Sequence, residues 1–141
     1  MEQIKKIELD GIPGTGKTFR AEMLKKMFPD CTIIDEGLYT DQVSDENYIS
    51  LEDANNPDRL QAFAEAFREK VKAASDTMFV ILFCTTPKSK ARLKDRGDNP
   101  DDIPSDDDLF EYSKRFNFLY KVTRDLPNVL SENTDHDLIA E

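Results

Sequence analysis

The chain is short of the residues that build disulfide scaffolds and metal centres. It has two cysteines and one histidine in 141 residues. Cys31 and Cys84 both stand in apolar, strand-like runs, so they read as buried thiols of a reducing compartment and not as a disulfide. His136 is alone in a polar C-terminal stretch and reads as solvated, because a metal site needs a cluster of ligands. No apolar run is long enough to span a bilayer, and the first residues carry no signal-peptide pattern, so the expected location is cytoplasmic with no membrane partner. Basic residues are missing from a whole stretch: 31–58 holds eight carboxylates and no Lys or Arg. The net charge is −10. Phosphate contacts dominate affinity for long nucleic acid, so an acidic chain of this kind is a poor binder of it. The length predicts one domain over 1–141.

What is present is concentrated at the N-terminus. Ile7 and Leu9 alternate with charge in a short predicted strand, about 4–9. It runs into Gly11-Ile12-Pro13-Gly14-Thr15-Gly16-Lys17-Thr18, the pattern G-x-x-x-x-G-K-[ST] of a phosphate-binding loop. Glycines let the backbone wrap a phosphate closely, and successive N–H groups form a nest for anionic oxygens. The helix that follows, about 16–28, adds the positive end of its dipole. Lys17, expected to stand exposed in the loop, reaches the β- and γ-phosphates of a nucleotide such as ATP, and the Thr18 hydroxyl holds Mg²⁺. Strand, glycine loop and helix together are the setting this motif requires.

The rest alternates short apolar runs with amphipathic stretches. That predicts an α/β domain of three layers, helices on both faces of a mostly parallel sheet of about four strands. Pro29-Asp30 ends the first helix, and Cys31–Asp35 is the second strand. A polar stretch, about 41–56, follows. Asn56-Pro57 reads as an N-cap with proline at the first helical position, and Leu60, Phe63, Ala64, Phe67, Val71 and Ala74 form one apolar stripe. The continuous apolar run Met78–Cys84 predicts a central strand covered on both faces. Thr86-Pro87 opens a short helix closed by Gly97. Ser105 with Asp108 resembles a capping box for a helix over about 105–124, whose apolar side carries Leu109, Tyr112, Phe116, Leu119 and Tyr120. Asn128-Val129-Leu130 is a short last strand, and about 132–141 reads as a polar tail.

Two further groups bear chemistry. Asp35-Glu36 ends an apolar strand after the glycine loop, in the manner of a Walker B element, and ligands of open α/β sheets bind beyond the carboxyl ends of the strands. Asp35 suits Mg²⁺ through a coordinated water, and Glu36 suits positioning a nucleophile or accepting its proton. Residues 88–96 carry five cations in nine positions. Lys88, Arg92 and Arg96, four apart, share one helix face. They precede an acidic, proline-containing loop, so about 92–104 reads as a flexible lid whose Arg92 and Arg96 neutralise a transferring phosphoryl group.

The segment Ile7–Thr18 resembles the start of the thymidylate kinase and deoxynucleoside kinase group of P-loop kinases, and Cys84–Lys88 through Arg92, Arg96 and Gly97 is similar to that group's entry into its lid. The resemblance implies a kinase fold and ATP-Mg²⁺ chemistry. The chain departs from the group in two ways. It has Asp35-Glu36 where those kinases often carry an acid-Arg pair. It also lacks the strand and helix commonly inserted before that strand, so it looks like a trimmed member. The acceptor pocket then falls to 37–60, including Tyr39, Asp41, Gln42, Tyr48 and Arg59.

The leading expectation is a phosphotransferase from ATP-Mg²⁺ to a nucleoside or nucleoside monophosphate. Lys17, Asp35, Glu36, Arg92 and Arg96 are its catalytic candidates. Tyr39, Gln42 and Arg59 are its substrate candidates. A hydrolase or switch using Asp35-Glu36, a polynucleotide end kinase and a nucleotide-binding regulator without turnover stand as alternatives. A homodimer is left open.

Overall fold

The structure, a computed structural model, describes residues 3–134 apart from 13, 14, 45, 98, 100 and 102, with the backbone alone at 51 and 86. Four strands form one parallel sheet: β1 (Lys6–Asp10), β2 (Thr32–Asp35), β3 (Thr77–Phe83) and β4 (Val129–Asn133), in the order β2-β1-β3-β4. Leu9 stands opposite Asp35 on one side of β1 and opposite Val80 on the other, so β1 lies inside the sheet. This is the α/β architecture expected from the alternation of runs. Parallel neighbours need crossovers, and right-handed crossovers in opposite directions from β1 place helices on opposite faces.

Helix α1 (Lys17–Met27) packs on β1 and β2. Helices α2 (Leu38–Val43), α4 (Pro57–Ala73) and α6 (Asp106–Thr123) pack together on the other face; α3 (Leu51–Ala54) precedes α4, and α5 (Thr86–Asp95) leads into α6. The predicted caps are present. The Asn56 side chain accepts the N–H groups of Asp58 and Arg59, and Ser105 accepts that of Asp108. Thr85, a cap not read from the sequence, accepts from Lys88 N–H. The core lies under α4 and α6: Phe67, Val71, Phe79, Ile81, Phe116 and Leu119 are buried.

The structure fills in one stretch and corrects three expectations. The polar stretch 41–56 holds the second half of α2 and all of α3. β3 is fully covered on one face and only partly on the other, where Leu82 is buried under the glycine loop. Phe79 and Ile81 are buried, but Met78 and Val80 line a groove of about 610 Å³ with Leu24, Met27 and Leu130. A helix is roughly 10 Å wide and strands are about 4.8 Å apart, so α1 alone spans two strands and leaves the others open. The tail begins later than predicted, because pairing with β3 extends β4 to Asn133 and Thr134 N–H donates to Phe83 O at 2.7 Å; residues 135–141, His136 among them, lie outside the described residues. Cys31 and Cys84 take part in no disulfide among the described residues, and both are half-buried, not fully buried.

The alternation in β1 has an unexpected use. Ile7 and Leu9 are buried, as expected of the apolar positions. The charged side is not given to solvent. Asp10 is fully buried, and its Oδ1 accepts the N–H of Gly37 (2.9 Å), the N–H of Thr40 (3.0 Å) and the Thr40 hydroxyl (2.7 Å). Glu8 Oε2 accepts Leu38 N–H at 2.9 Å. Two carboxylates from a neighbouring strand therefore cap α2, satisfying N–H groups that a six-residue helix leaves unpaired. No donor among the described residues reaches the buried Asp10 Oδ2. The neighbouring Glu8 carboxyl interacts with the Asp10 carboxylate, an interaction that favours the protonated form of Glu8. Burial, opposed by the Leu38 N–H and reinforced by the charge of Asp10, pushes Glu8 up to about 6.

This fixes a sign. Glu8 holds its proton more tightly in the folded chain than at its ordinary 4.5, so its stabilising effect is complete below that value and lost as pH rises through about 6. Full linkage for such a rise is about 2 kcal/mol; Glu8 is half open to screening water, which reduces the effect to about 1 kcal/mol. Glu8→Gln keeps an acceptor for Leu38 and supplies a donor for Asp10 at every pH. Thermal melts of the two proteins should coincide near pH 4.5, with the variant gaining about 3 °C by pH 8. A difference in Tm that does not change with pH would show that Glu8 and Asp10 share no proton.

Candidate active site

The phosphate-loop residues sit where β1 gives way to α1. A Cβ on Gly11 would stand 2.6 Å from Leu82 O and 3.1 Å from Thr15 Oγ1, so only glycine lets the loop start this close to β3. Thr15, buried, donates its hydroxyl to Ile12 O at 3.0 Å and closes the loop on itself. Gly16 has φ 88° at the junction with α1. Pro13 and Gly14 lie outside the described residues.

Lys17 corrects the expectation of an exposed charge. It is 8% exposed, and its Nζ donates to Gly11 O at 2.8 Å and to Glu36 Oε1 at 3.4 Å. A buried ammonium needs partners, and these two are what the fold supplies. The Lys17 side chain therefore spans the loop and ties both of its ends to β2. Next to it, Thr18 Oγ1 and Asp35 Oδ2 face each other across 3.5 Å, both exposed. Four of the predicted residues, from two separate segments, are thus brought to one place: Lys17, Thr18, Asp35 and Glu36.

Glu36 stands at φ 74°, a non-glycine residue in the left-handed region. That conformation costs roughly 1–2 kcal/mol. Its N–H continues the ladder to Leu9 O at 3.0 Å, and the next N–H groups go to Asp10 and Glu8. The carboxylate is thereby turned back toward Lys17, with 61% of the side chain exposed.

The substrate candidates fare differently. Tyr39 is not in a pocket wall. It is fully buried, its ring is 4.8 Å from that of Phe67 and 5.6 Å from that of Phe79, and its hydroxyl shares a hydrogen bond with the Thr123 hydroxyl at 2.5 Å. Burial holds its phenol well above the usual tyrosine range. A tyrosine one residue into a short helix points inward here because α2 lies flat on the core. Gln42 Nε2 donates to Asn47 O at 2.8 Å, and Arg59 pairs with Asp53 at 3.0 Å in an open position on the first turn of α4. Tyr48 packs against Phe63, with the Arg115 guanidinium 4.8 Å over its ring. Burial pushes its phenol up as well.

Of the predicted lid, residues 92–95 form the last turn of α5. Arg92 is half-buried and donates to the hydroxyl and carbonyl of Thr134 beyond β4. Arg96 is the exposed C-cap of α5, Gly97 follows at φ 87°, and Lys90 pairs with Asp106 at 2.9 Å. Residues 98, 100 and 102 of that segment lie outside the described residues.

Sequence reasoning passed over three charged residues that build the site. Glu8 and Asp10 were visible only as the polar half of an alternating strand. Arg20, one turn into α1, is 7% exposed and pairs with Glu132 of β4 at 3.2 Å. It ties the first turn of α1 to the opposite part of the sheet. The available signal was a charge among the apolar positions of a helix, which is ordinarily read as a solvated face.

The donor set fits a hard divalent cation. A hydroxyl and a carboxylate converge, and Mg²⁺ is commonly held by one or two carboxylates together with phosphate and water. Among the described residues no group of three or more His, Cys, Asp or Glu is arranged to hold a metal.

No protein-family model and no curated sequence matches the chain. Among solved structures it is similar to a deoxyadenosine kinase from M. mycoides, determined with the products dCMP and a flexible dCDP bound. The identity is 13%, the TM-score 0.54, and the match covers 96% of this chain and 93% of that one. At that identity the likeness is one of fold. The chain has the α/β fold with a parallel sheet that this kinase also has.

Proposed function

We propose that the chain is a phosphotransferase that moves the terminal phosphoryl group of ATP to a nucleoside or nucleoside monophosphate. The observation that carries the reading is the position of Lys17 Nζ, between Gly11 O and Glu36 Oε1, beside the Thr18–Asp35 pair. It is supported by the shared fold with a deoxyadenosine kinase.

The geometry supports the following division of roles. Lys17 and the loop N–H groups take the donor phosphates; an anion there competes with Glu36 for the ammonium. Glu36 is then released, and its exposed carboxylate accepts the proton of an acceptor hydroxyl. Thr18 and Asp35 would hold Mg²⁺, which when bound would supply positive charge to offset that of the donor phosphates. A monophosphate acceptor arrives already ionised and draws less on Glu36. Arg96, open at the end of α5, is a cation for the transferring group. Arg92 does the same after leaving Thr134. Gln42 and Arg59 face the acceptor from α2 and α4. The exposure of Glu36 also suits orienting a water, so hydrolysis is the second reading; release of ADP only when a nucleoside or nucleotide acceptor is added separates transfer from hydrolysis.

Two outcomes are expected. Lys17→Met keeps the buried stem and removes the charge, so the protein should remain folded by circular dichroism while kcat/KM falls by roughly 10²–10³-fold. Turnover close to wild type in that folded variant would remove the donor site from the mechanism. Glu36→Gln should lower kcat with a nucleoside acceptor by ~10²–10⁴-fold, with little change in the KM for ATP, whereas Asp35→Asn should raise the Mg²⁺ concentration needed for half-maximal rate. Steady-state kinetics with varied Mg²⁺ read both; two variants that behave like wild type would leave the carboxylates as solvated strand ends.

A further inference from the structure

We infer that Asp10 is a positioning residue for phosphoryl transfer, acting through Glu36; the inference rests on the reading of Glu36 as the group that accepts the acceptor's proton. Asp10 touches no reacting group. It lies at the end of β1, fully buried, one residue before the phosphate loop. One oxygen of its carboxylate gathers three donors from the segment that follows Glu36: Gly37 N–H, Thr40 N–H and the Thr40 hydroxyl, all within 3.0 Å. Glu8 holds the intervening Leu38 N–H. A Cβ on Gly37 would fall 2.2 Å from the Glu8 carboxylate, so glycine is what allows this close approach.

The consequence lies one residue upstream. Glu36 is held in the left-handed region at φ 74°, with its N–H fixed to Leu9 O on one side and Gly37 fixed to Asp10 on the other. A β-branched or acidic residue relaxes out of that region unless its neighbours over-determine it. Asp10 supplies that determination. Without it the Glu36–Gly37 peptide is free to turn, and the carboxylate leaves the 3.4 Å approach to Lys17. The same residue also joins the phosphate loop to β2 and α2, because Gly11 follows Asp10 directly. One buried carboxylate thus sets the register between the donor loop and the base.

The test combines exchange and kinetics. In the ligand-free chain, Asp10→Ala should speed amide hydrogen exchange at Gly37, Leu38 and Thr40 and leave the amides of β3 unchanged. It should lower kcat by roughly 10–100-fold with the KM for ATP held, since small misplacements of a reacting group cost up to about 10²-fold. Asp10→Asn keeps the accepting oxygen and should stay within about 3-fold of wild type. In a Glu36→Gln background Asp10→Ala should cost no more than about 2-fold, because two residues that act as one unit are not additive. Thr40→Val removes only the hydroxyl bond and provides the same cycle, with a loss of about 3–10-fold, if Asp10→Ala does not fold. Full additivity with an impaired Glu36→Gln, or unchanged exchange at 37–40, overturns the role of Asp10 alone. Wild-type turnover in Glu36→Gln itself overturns the base and, with it, the inference.

Discussion

The site depends on two carboxylates of β1, one buried and one half-buried, that face a helix. Glu8 and Asp10 accept the N–H groups of residues 37, 38 and 40, and in doing so they attach α2 to the strand that carries the phosphate loop. Burying a carboxylate is unfavourable unless it is well bonded. Here the bonds go to a helix start whose own N–H groups have no partner within the helix. Each deficit satisfies the other. The excess negative charge is relieved at Glu8, whose raised proton affinity completes the pair.

From that attachment the rest of the site follows. Once α2 is held, the residue before it must turn sharply, and Glu36 takes the left-handed conformation that returns its carboxylate to Lys17. Lys17 is buried by the loop it closes, so its charge is held between Gly11 O and Glu36. Arg20 repeats the device on the other side, joining α1 to β4 through Glu132. The loop is therefore braced from both flanks of the sheet by side chains that contribute charge and geometry together. The opposite face is less finished: α1 covers two strands, and the apolar groove beside Leu130 stays open.

The sequence by itself determined the fold class and the glycine loop between β1 and α1. Glycine spacing, a preceding strand and a following helix are local facts, and Gly11, Thr15, Gly16, Lys17 and Thr18 take up a loop that local facts suffice to specify. The same is true of the caps at Asn56 and Ser105, which act within three residues of themselves. The tertiary structure alone decided what the charges of β1 do, because alternation says which residues share a face and not what that face meets. It also decided that Tyr39 belongs to the core, since α2 has no cap of its own in sequence and is placed by a strand some thirty residues earlier. For the same reason the sequence could not distinguish Arg92, bound to the end of β4, from a free cation of a lid. Period and propensity report on neighbours along the chain; a buried charge is defined by partners far from it in sequence, and only folding brings those partners within bonding distance.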